Sequence, residues 1–383
     1  GKILMVHNLA TQFGGEGAVA LAEQRLLEQY AEDVVLYSRH NDDIKEYRAA
    51  EKITFGMHAI FSPRTRWDMR ELVRRWKPDV AYIHNVFPLI SPAVYHTLHA
   101  LGVPIVQVIH DFRFLCPNGW FYTQGQICER CKHGQYWHAV RLRCYRNSYL
   151  LSALYATTIG GNRLAGLLEK ISAFVCLTAF AKQQLLDVHV PERKIFVKPN
   201  FPGSSSTVSA PGTGDGVVYL GRLSPEKGVW ALVRAFAQLP EIPLKIVGTG
   251  PLEEELQRYT REQHLTNIHF LGFQNGEEKW TILRNSTCTV VPSEWYENFP
   301  VVVLEAYAAG KPVIGANLGS LPHIIEHERS GLLFAAGDST DLAEKVRTLV
   351  QQPAAREEMG RYARKLVETQ YSPEQNYQTL KRI

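Results

Sequence analysis

The feature that most constrains this chain is a series of short, continuous apolar runs. They lie at residues 80–84, 104–109, 173–178, 217–223, 244–248, 268–273, 287–292 and 312–315. Runs this short that do not alternate with polar residues fit strands of a parallel sheet, buried on both faces. Two more strand-like runs open the chain, Lys2-Ile3-Leu4-Met5-Val6-His7 and Val34-Val35-Leu36-Tyr37-Ser38. Helical periodicity lies between the runs: Met69, Leu72, Val73 and Trp76 form one apolar stripe. Strands alternating with helices predict an α/β architecture with doubly wound parallel sheets.

A chain of 383 residues is long for one core, which predicts two domains. Residues 202–216, rich in Pro, Gly, Ser and Thr, read as the linker. The predicted domains are 1–201 and 217–371, with 372–383 as a final helix. Residues 1–213 hold 24 Lys and Arg against 17 Asp and Glu, a net of +7. Residues 214–371 hold 16 against 20, a net of −4. A basic first half favours an anionic partner: a phosphate-bearing acceptor, an acidic glycan or a membrane surface. Arg66, Arg70 and Arg74 share one helix face, which reads either as a solvated basic surface or as peripheral membrane contact. No apolar run approaches the ~20 residues of a spanning helix. A strand stands where a leader would, so the expected location is cytoplasmic, with the six cysteines mostly reduced.

Gly14-Gly15-Glu16-Gly17 follows the first strand, ahead of a helix starting near Ala18. The glycines allow a tight turn and close approach to a ligand, but Gly-x-Gly-x-x-Gly is absent. His110-Asp111 ends a strand, where side chains line a ligand crevice, and Asp111 is placed to orient the His110 imidazole. After the strand at 217–223, Arg222 and Lys227 put two cations beside a helix start, a cradle for a diphosphate. Glu297 and Glu305 stand eight positions apart, flanking Asn298-Phe299-Pro300 and an apolar run. Pro300 suits the first turn of a helix, with Glu297 in the loop before it and Glu305 inside. Carboxylates there accept hydrogen bonds from sugar or ribose hydroxyls; a helix cap and a surface charge are the plainer alternative.

An insert at 112–147 carries Cys116, Cys128, Cys131 and Cys144. A Cys-x-x-Cys pair between two single cysteines has the spacing of a structural zinc site, with His133 and His138 as alternative ligands; free or disulfide-linked thiols in a loop fit equally. Its aromatic and basic residues also suit an acceptor-binding lid. No nucleic-acid-binding module surrounds them.

Taken together, Glu297-x7-Glu305, Gly221-Arg222 with Glu226-Lys227-Gly228, the Gly248-x-Gly250-Pro251 turn and His110-Asp111 resemble retaining glycosyltransferases of family 4, which have the GT-B fold of two facing Rossmann-like domains. The resemblance covers nearly the whole chain and is tightest from Val217 to Gly337. It implies an N-terminal acceptor domain, a C-terminal nucleotide-sugar domain, and a last helix crossing back. His110, Glu297, Arg222 and Lys227 are then the implied catalytic set. Gly15, Glu16, Gly248, Gly250, Phe273, Asn298, Phe299, Pro300 and Glu305 join Arg222 and Lys227 around the donor. The implied reaction is metal-independent hexosyl transfer, with UDP-glucose the first expectation and UDP-galactose, UDP-N-acetylglucosamine and GDP-mannose open. The implied acceptor is a glycan or lipid-linked glycan in polysaccharide synthesis. A nucleotide-sugar epimerase and a non-catalytic nucleotide-sugar-binding protein are the alternative readings.

Overall fold

The computed structural model describes residues 1–9, 15–46, 49–203 and 214–383, with the side chains of 45–54 excepted. Residues 10–14 and 204–213, and with them Gly14 and most of the predicted linker, lie outside the described residues. The described chain divides into two compact units. One comprises Gly1–Gln124, Cys128–Pro199 and Tyr377–Ile383, the other Gly125–Ile127 and Asn200–Asn376.

The first unit is built on β1 (Lys2–Leu9), β2 (Asp33–His40), β3 (Val80–Asn85), β4 (Ile105–Ile109), β7 (Ala173–Cys176) and β8 (Ile195–Val197). Two strands of two residues each, β5 (Tyr122–Thr123) and β6 (Gln126–Ile127), belong to the insert. The large sheet has the order β2-β1-β3-β4-β7-β8, and all its pairs are parallel. The second unit holds β9 (Val217–Leu220), β10 (Leu244–Val247), β11 (Ile268–Gly272), β12 (Cys288–Val291), β13 (Val313–Ala316) and β14 (Gly331–Phe334). Its order is β11-β10-β9-β12-β13-β14, again parallel throughout.

Position in the sheet explains the two kinds of strand sequence. Central β4, β7, β12 and β13 are buried along their whole length, because helices cover both faces. Edge strands β2 and β11 are partly open and carry polar residues. Ser62 caps the helix Pro63–Trp76, with Pro63 at its first position, and Met69 on its stripe is fully buried. Arg66, Arg70 and Arg74 are exposed on that helix, and Arg74 pairs with Glu71 at 2.8 Å. In the first unit Tyr377 stacks on Tyr30 at 3.8 Å and donates to Glu32 at 2.9 Å. No helix among the described residues is long and apolar enough to cross a membrane.

Two expectations are corrected. The first helix begins at Gly15 rather than near Ala18, so Gly15, Glu16 and Gly17 lie in its first turn. Pro300 stands just ahead of the helix Val301–Ala308, with extended backbone (φ −69°, ψ 116°), not inside it. Gly331 opens the buried strand β14, where a Cβ would lie 1.9 Å from the Val313 carbonyl oxygen.

Candidate active site

In each sheet the chain reverses its direction of travel beside the first strand of the unit. Loops leaving the carboxyl ends of the strands at such a point diverge and leave a crevice. In the second unit these strands are β9 and β12. The loop after β9 carries Arg222 and Lys227; the loop after β12 carries Glu297. Gly228 makes their approach possible. It is left-handed (φ +68°), and a Cβ would lie 1.9 Å from the Pro292 carbonyl oxygen. The Glu294 N–H then donates to the Glu226 carbonyl at 2.9 Å.

Lys227 Nζ donates to Glu297 Oε1 at 2.7 Å, and Ser293 Oγ donates to the same oxygen at 2.6 Å. The ammonium lies 4.9 Å from the Trp295 ring centroid. Glu297 is only 6% exposed. Burial pushes its carboxyl pKa up, but the Lys227 charge and the hydrogen bonds from Lys227 and Ser293 outweigh it and hold the group below the usual range. Asn298 and Phe299 are buried on the way into the helix Val301–Ala308, whose start no side chain caps. On that helix Glu305 accepts from Lys279 Nζ at 2.6 Å.

Gly248 and Gly250 act through packing. Their loop locks onto the Arg222 loop: Leu223 N–H donates to Thr249 O and Leu252 N–H to Leu223 O, both at 3.0 Å. A Cβ on Gly248 would lie 1.9 Å from the Gly221 oxygen, and one on Gly250 2.3 Å from that of Leu223. Arg222 is exposed, and Phe273 is 70% exposed just past β11. Among the described residues neither hydrogen-bonds or ion-pairs with Lys227, Glu297 or Glu305.

In the first unit the reversal lies between β1 and β3. Glu16 stands in the first turn of the helix after β1, where the helix dipole favours negative charge. Asn85, at the end of β3, hydrogen-bonds its carboxyl group. Among the described residues the Glu16 Oε1, shielded from solvent, has no hydrogen-bond partner and lies 3.9 Å from His7 Nδ1. Burial, and then the charge of Asp111, push the Glu16 pKa up to about 7, against Asn85 and Arg113. Glu16, Asn85, His110, Asp111 and Arg113 line one cavity of about 20 Å³.

Asp111 does not orient His110. It turns to Arg113, accepting its backbone N–H at 2.9 Å and its Nε–H at 3.3 Å, because a carboxylate gains more from a guanidinium than from a neutral ring. His110 Nε2 instead meets His84 Nδ1 at 2.8 Å. Burial first, and then the charge of His7 at His84 and of His84 at His110, keep both rings well below the usual histidine range, hence neutral. His84 Nε2 faces Glu23 Oε2 at 3.6 Å. A proton on His84 Nε2 suits that carboxylate. His84 Nδ1 then accepts, His110 Nε2 donates, and His110 Nδ1 is left as an acceptor. Glu23 also accepts from Tyr82 Oη at 2.7 Å and pairs with Lys198, which is fully buried.

Sequence reasoning missed Lys279, Ser293, Trp295, Arg113, His84 and Glu23. Trp295 and Ser293 stood within four positions of Glu297, and Arg113 two past Asp111, as findable signals. Lys279, His84 and Glu23 arrive from other elements, and only the fold brings them in.

Two family models match the chain: Glycosyltransferase Family 4 over residues 14–201, and Glycosyl transferases group 1 over 207–366. Glycogen synthase of Mycobacterium tuberculosis is 27% identical over 320 residues, spanning 80% of this chain and 68% of that protein. A sulfoquinovosyl transferase of Arabidopsis thaliana is 34% identical over 155 residues, spanning 40% of this chain and 30% of that protein. Among solved structures, Anabaena HepE in complex with UDP superposes with a TM-score of 0.69 at 17% identity, covering 100% of this chain and 98% of that one. The same protein in complex with UDP-glucose gives 0.65 at 18%, covering all of both chains. With one model spanning its first half and the other its second, the chain is a GT-B glycosyltransferase of the family 4 and group 1 kind.

Proposed function

We propose that the chain transfers a hexose from UDP-glucose, with retention of anomeric configuration, to a glycan or lipid-linked glycan in polysaccharide synthesis. The observation that carries this reading is the Lys227–Glu297 pair at the strand-order reversal of the second unit, 2.7 Å apart and backed by Ser293. Lys227 and the exposed Arg222 bind the diphosphate, and the uncapped start of the helix Val301–Ala308 adds backbone N–H groups. As the sugar leaves, negative charge grows on that diphosphate, and these cations stabilise it most where it is greatest. They supply charge that a divalent metal supplies in other designs. Glu297, released from Lys227, accepts donor-sugar hydroxyls, with the Asn298 and Phe299 N–H groups beside it. Glu305 accepts the ribose hydroxyls. The Gly248–Gly250 loop and Phe273 border the base.

In the first unit His110 takes a sugar hydroxyl on its Nδ1, while Gly15 and Glu16 border the acceptor. Anabaena HepE with UDP-glucose supports the choice of donor. Glycogen synthase supports a glucan-like acceptor.

The test is calorimetric binding of UDP, UDP-glucose, UDP-galactose, UDP-N-acetylglucosamine and GDP-mannose, followed by acceptor trials and NMR of the product anomer. Lys227→Ala should weaken UDP binding at least tenfold, about 1.4 kcal/mol. Unchanged affinity would remove the cradle. A β-linked product from an α-linked donor would overturn retention. An epimer formed from donor alone would overturn transfer.

A further inference from the structure

The insert at 112–147 poses a problem of stability. Its regular structure amounts to β5, β6 and the five-residue helix Trp137–Arg141. Phe112, Leu115, Phe121 and Tyr122 anchor its first part in the core. Its later part rests on a smaller cluster, in which Cys131, Tyr136 and Ala139 pack on Ala156 and Ile159, with Val140 and Cys144 at the margin. That later part, with so little apolar area, gains from another constraint to hold one shape.

Its four cysteines border one small space in the fold. Cys116, Cys128, Cys131 and Cys144 line a single cavity of about 10 Å³, about the size of one water. None is in a disulfide. They arrive from three places: Cys116 before the turn closed by Gly119 N–H on its carbonyl (2.8 Å), Cys128 and Cys131 from the next turn, and Cys144 past the short helix.

We propose that Cys116, Cys128, Cys131 and Cys144 bind one structural zinc ion as a four-thiolate site. Among the described residues no three His, Cys, Asp or Glu side chains already surround one point as ligands. Binding therefore turns the thiols about χ1 into the cavity between them, toward Zn–S distances of about 2.3 Å. Each S–H bond gives its proton to solvent, four Zn–S bonds form, and no electron is transferred. Cys116 ceases to donate to Asn118 Oδ1, now at 3.0 Å. The Zn(Cys)4 unit carries a charge of −2, and Arg130, whose charge acts on Cys144, offsets part of it. His138 borders the cavity but is held by Trp137, stacked at 3.7 Å, and is not a ligand.

The inference is independent of the glycosyl-transfer reading, since its readout is metal. The full chain, expressed with zinc and purified without chelator, should hold about one zinc per chain by elemental analysis. Cobalt(II) exchange should give the intense visible bands of tetrahedral thiolate coordination. Cys131→Ser and Cys128→Ser should each lower zinc content at least tenfold, and His138→Ala should leave it unchanged. The wild-type measurements stand even if a cysteine variant fails to fold. A folded wild-type chain with less than about a tenth of a zinc and four titratable thiols would overturn the proposal. So would two disulfides by mass spectrometry, iron with inorganic sulfide, or loss of zinc on His138→Ala.

Discussion

Glu23 is 1% exposed and answers to three partners at once: Lys198, Tyr82 and, across 3.6 Å, His84. Such a pair is stable as a pair and costly when halved. Glu23→Gln should therefore lower unfolding free energy by about 3–5 kcal/mol in urea titrations, because Lys198 keeps its buried charge and loses the Glu23 carboxylate. Glu23→Gln combined with Lys198→Met should recover most of that loss, and a double variant no better than the single one would refute the coupling. Glu16 makes a different prediction. Its pKa is raised to about 7 from an ordinary 4.5, so the folded state holds a proton that the unfolded state releases. Stability linked to this group is full below pH 4.5, falls as pH rises through 7, and is level above. Glu16→Gln cannot ionise, so its stability relative to the wild type should rise between pH 5 and pH 8 in thermal melts. A difference that is flat with pH would show that Glu16 titrates normally.

At the scale of the element, the second unit depends on one loop approaching another. Gly228→Ala should lower UDP affinity at least tenfold and also destabilise the unit, since the new methyl meets the Pro292 oxygen with no side chain able to yield. Calorimetry and melts on the same variant check both. The strands and this pair of loops were legible in the sequence because burial on both faces leaves unbroken apolar runs, and because Arg222, Lys227 and Glu297 sit beside glycine and proline punctuation. Strand β14 was not legible: its four residues begin with glycine, which reads as a turn until β13 is seen alongside. The partner of His110 was not legible either. Adjacency in sequence favoured Asp111, whereas parallel pairing of β3 and β4 brings His84 across from another strand. Lys279 was hidden for the same reason, arriving on the helix Gly276–Arg284 to meet Glu305.

For the whole molecule, two compact units, each with its own sheet, should melt separately in scanning calorimetry. UDP at about a hundred times its dissociation constant should raise only the transition of the second unit, by about 2.7 kcal/mol of stabilisation. A single transition moving as one would show the two units to be thermodynamically fused. The doubly committed lysines of the second unit bear on which solutes the protein admits. Lys227 and Lys279 each already belong to a carboxylate, so an arriving anion must first divorce a contented couple. Inorganic phosphate or chloride offers the lysine a partner and gives Glu297 or Glu305 nothing in exchange for it. On the proposed function, a sugar nucleotide would bring hydroxyls for the carboxylate as well as oxygens for the cation, so these ion pairs would favour it over salts and free phosphate.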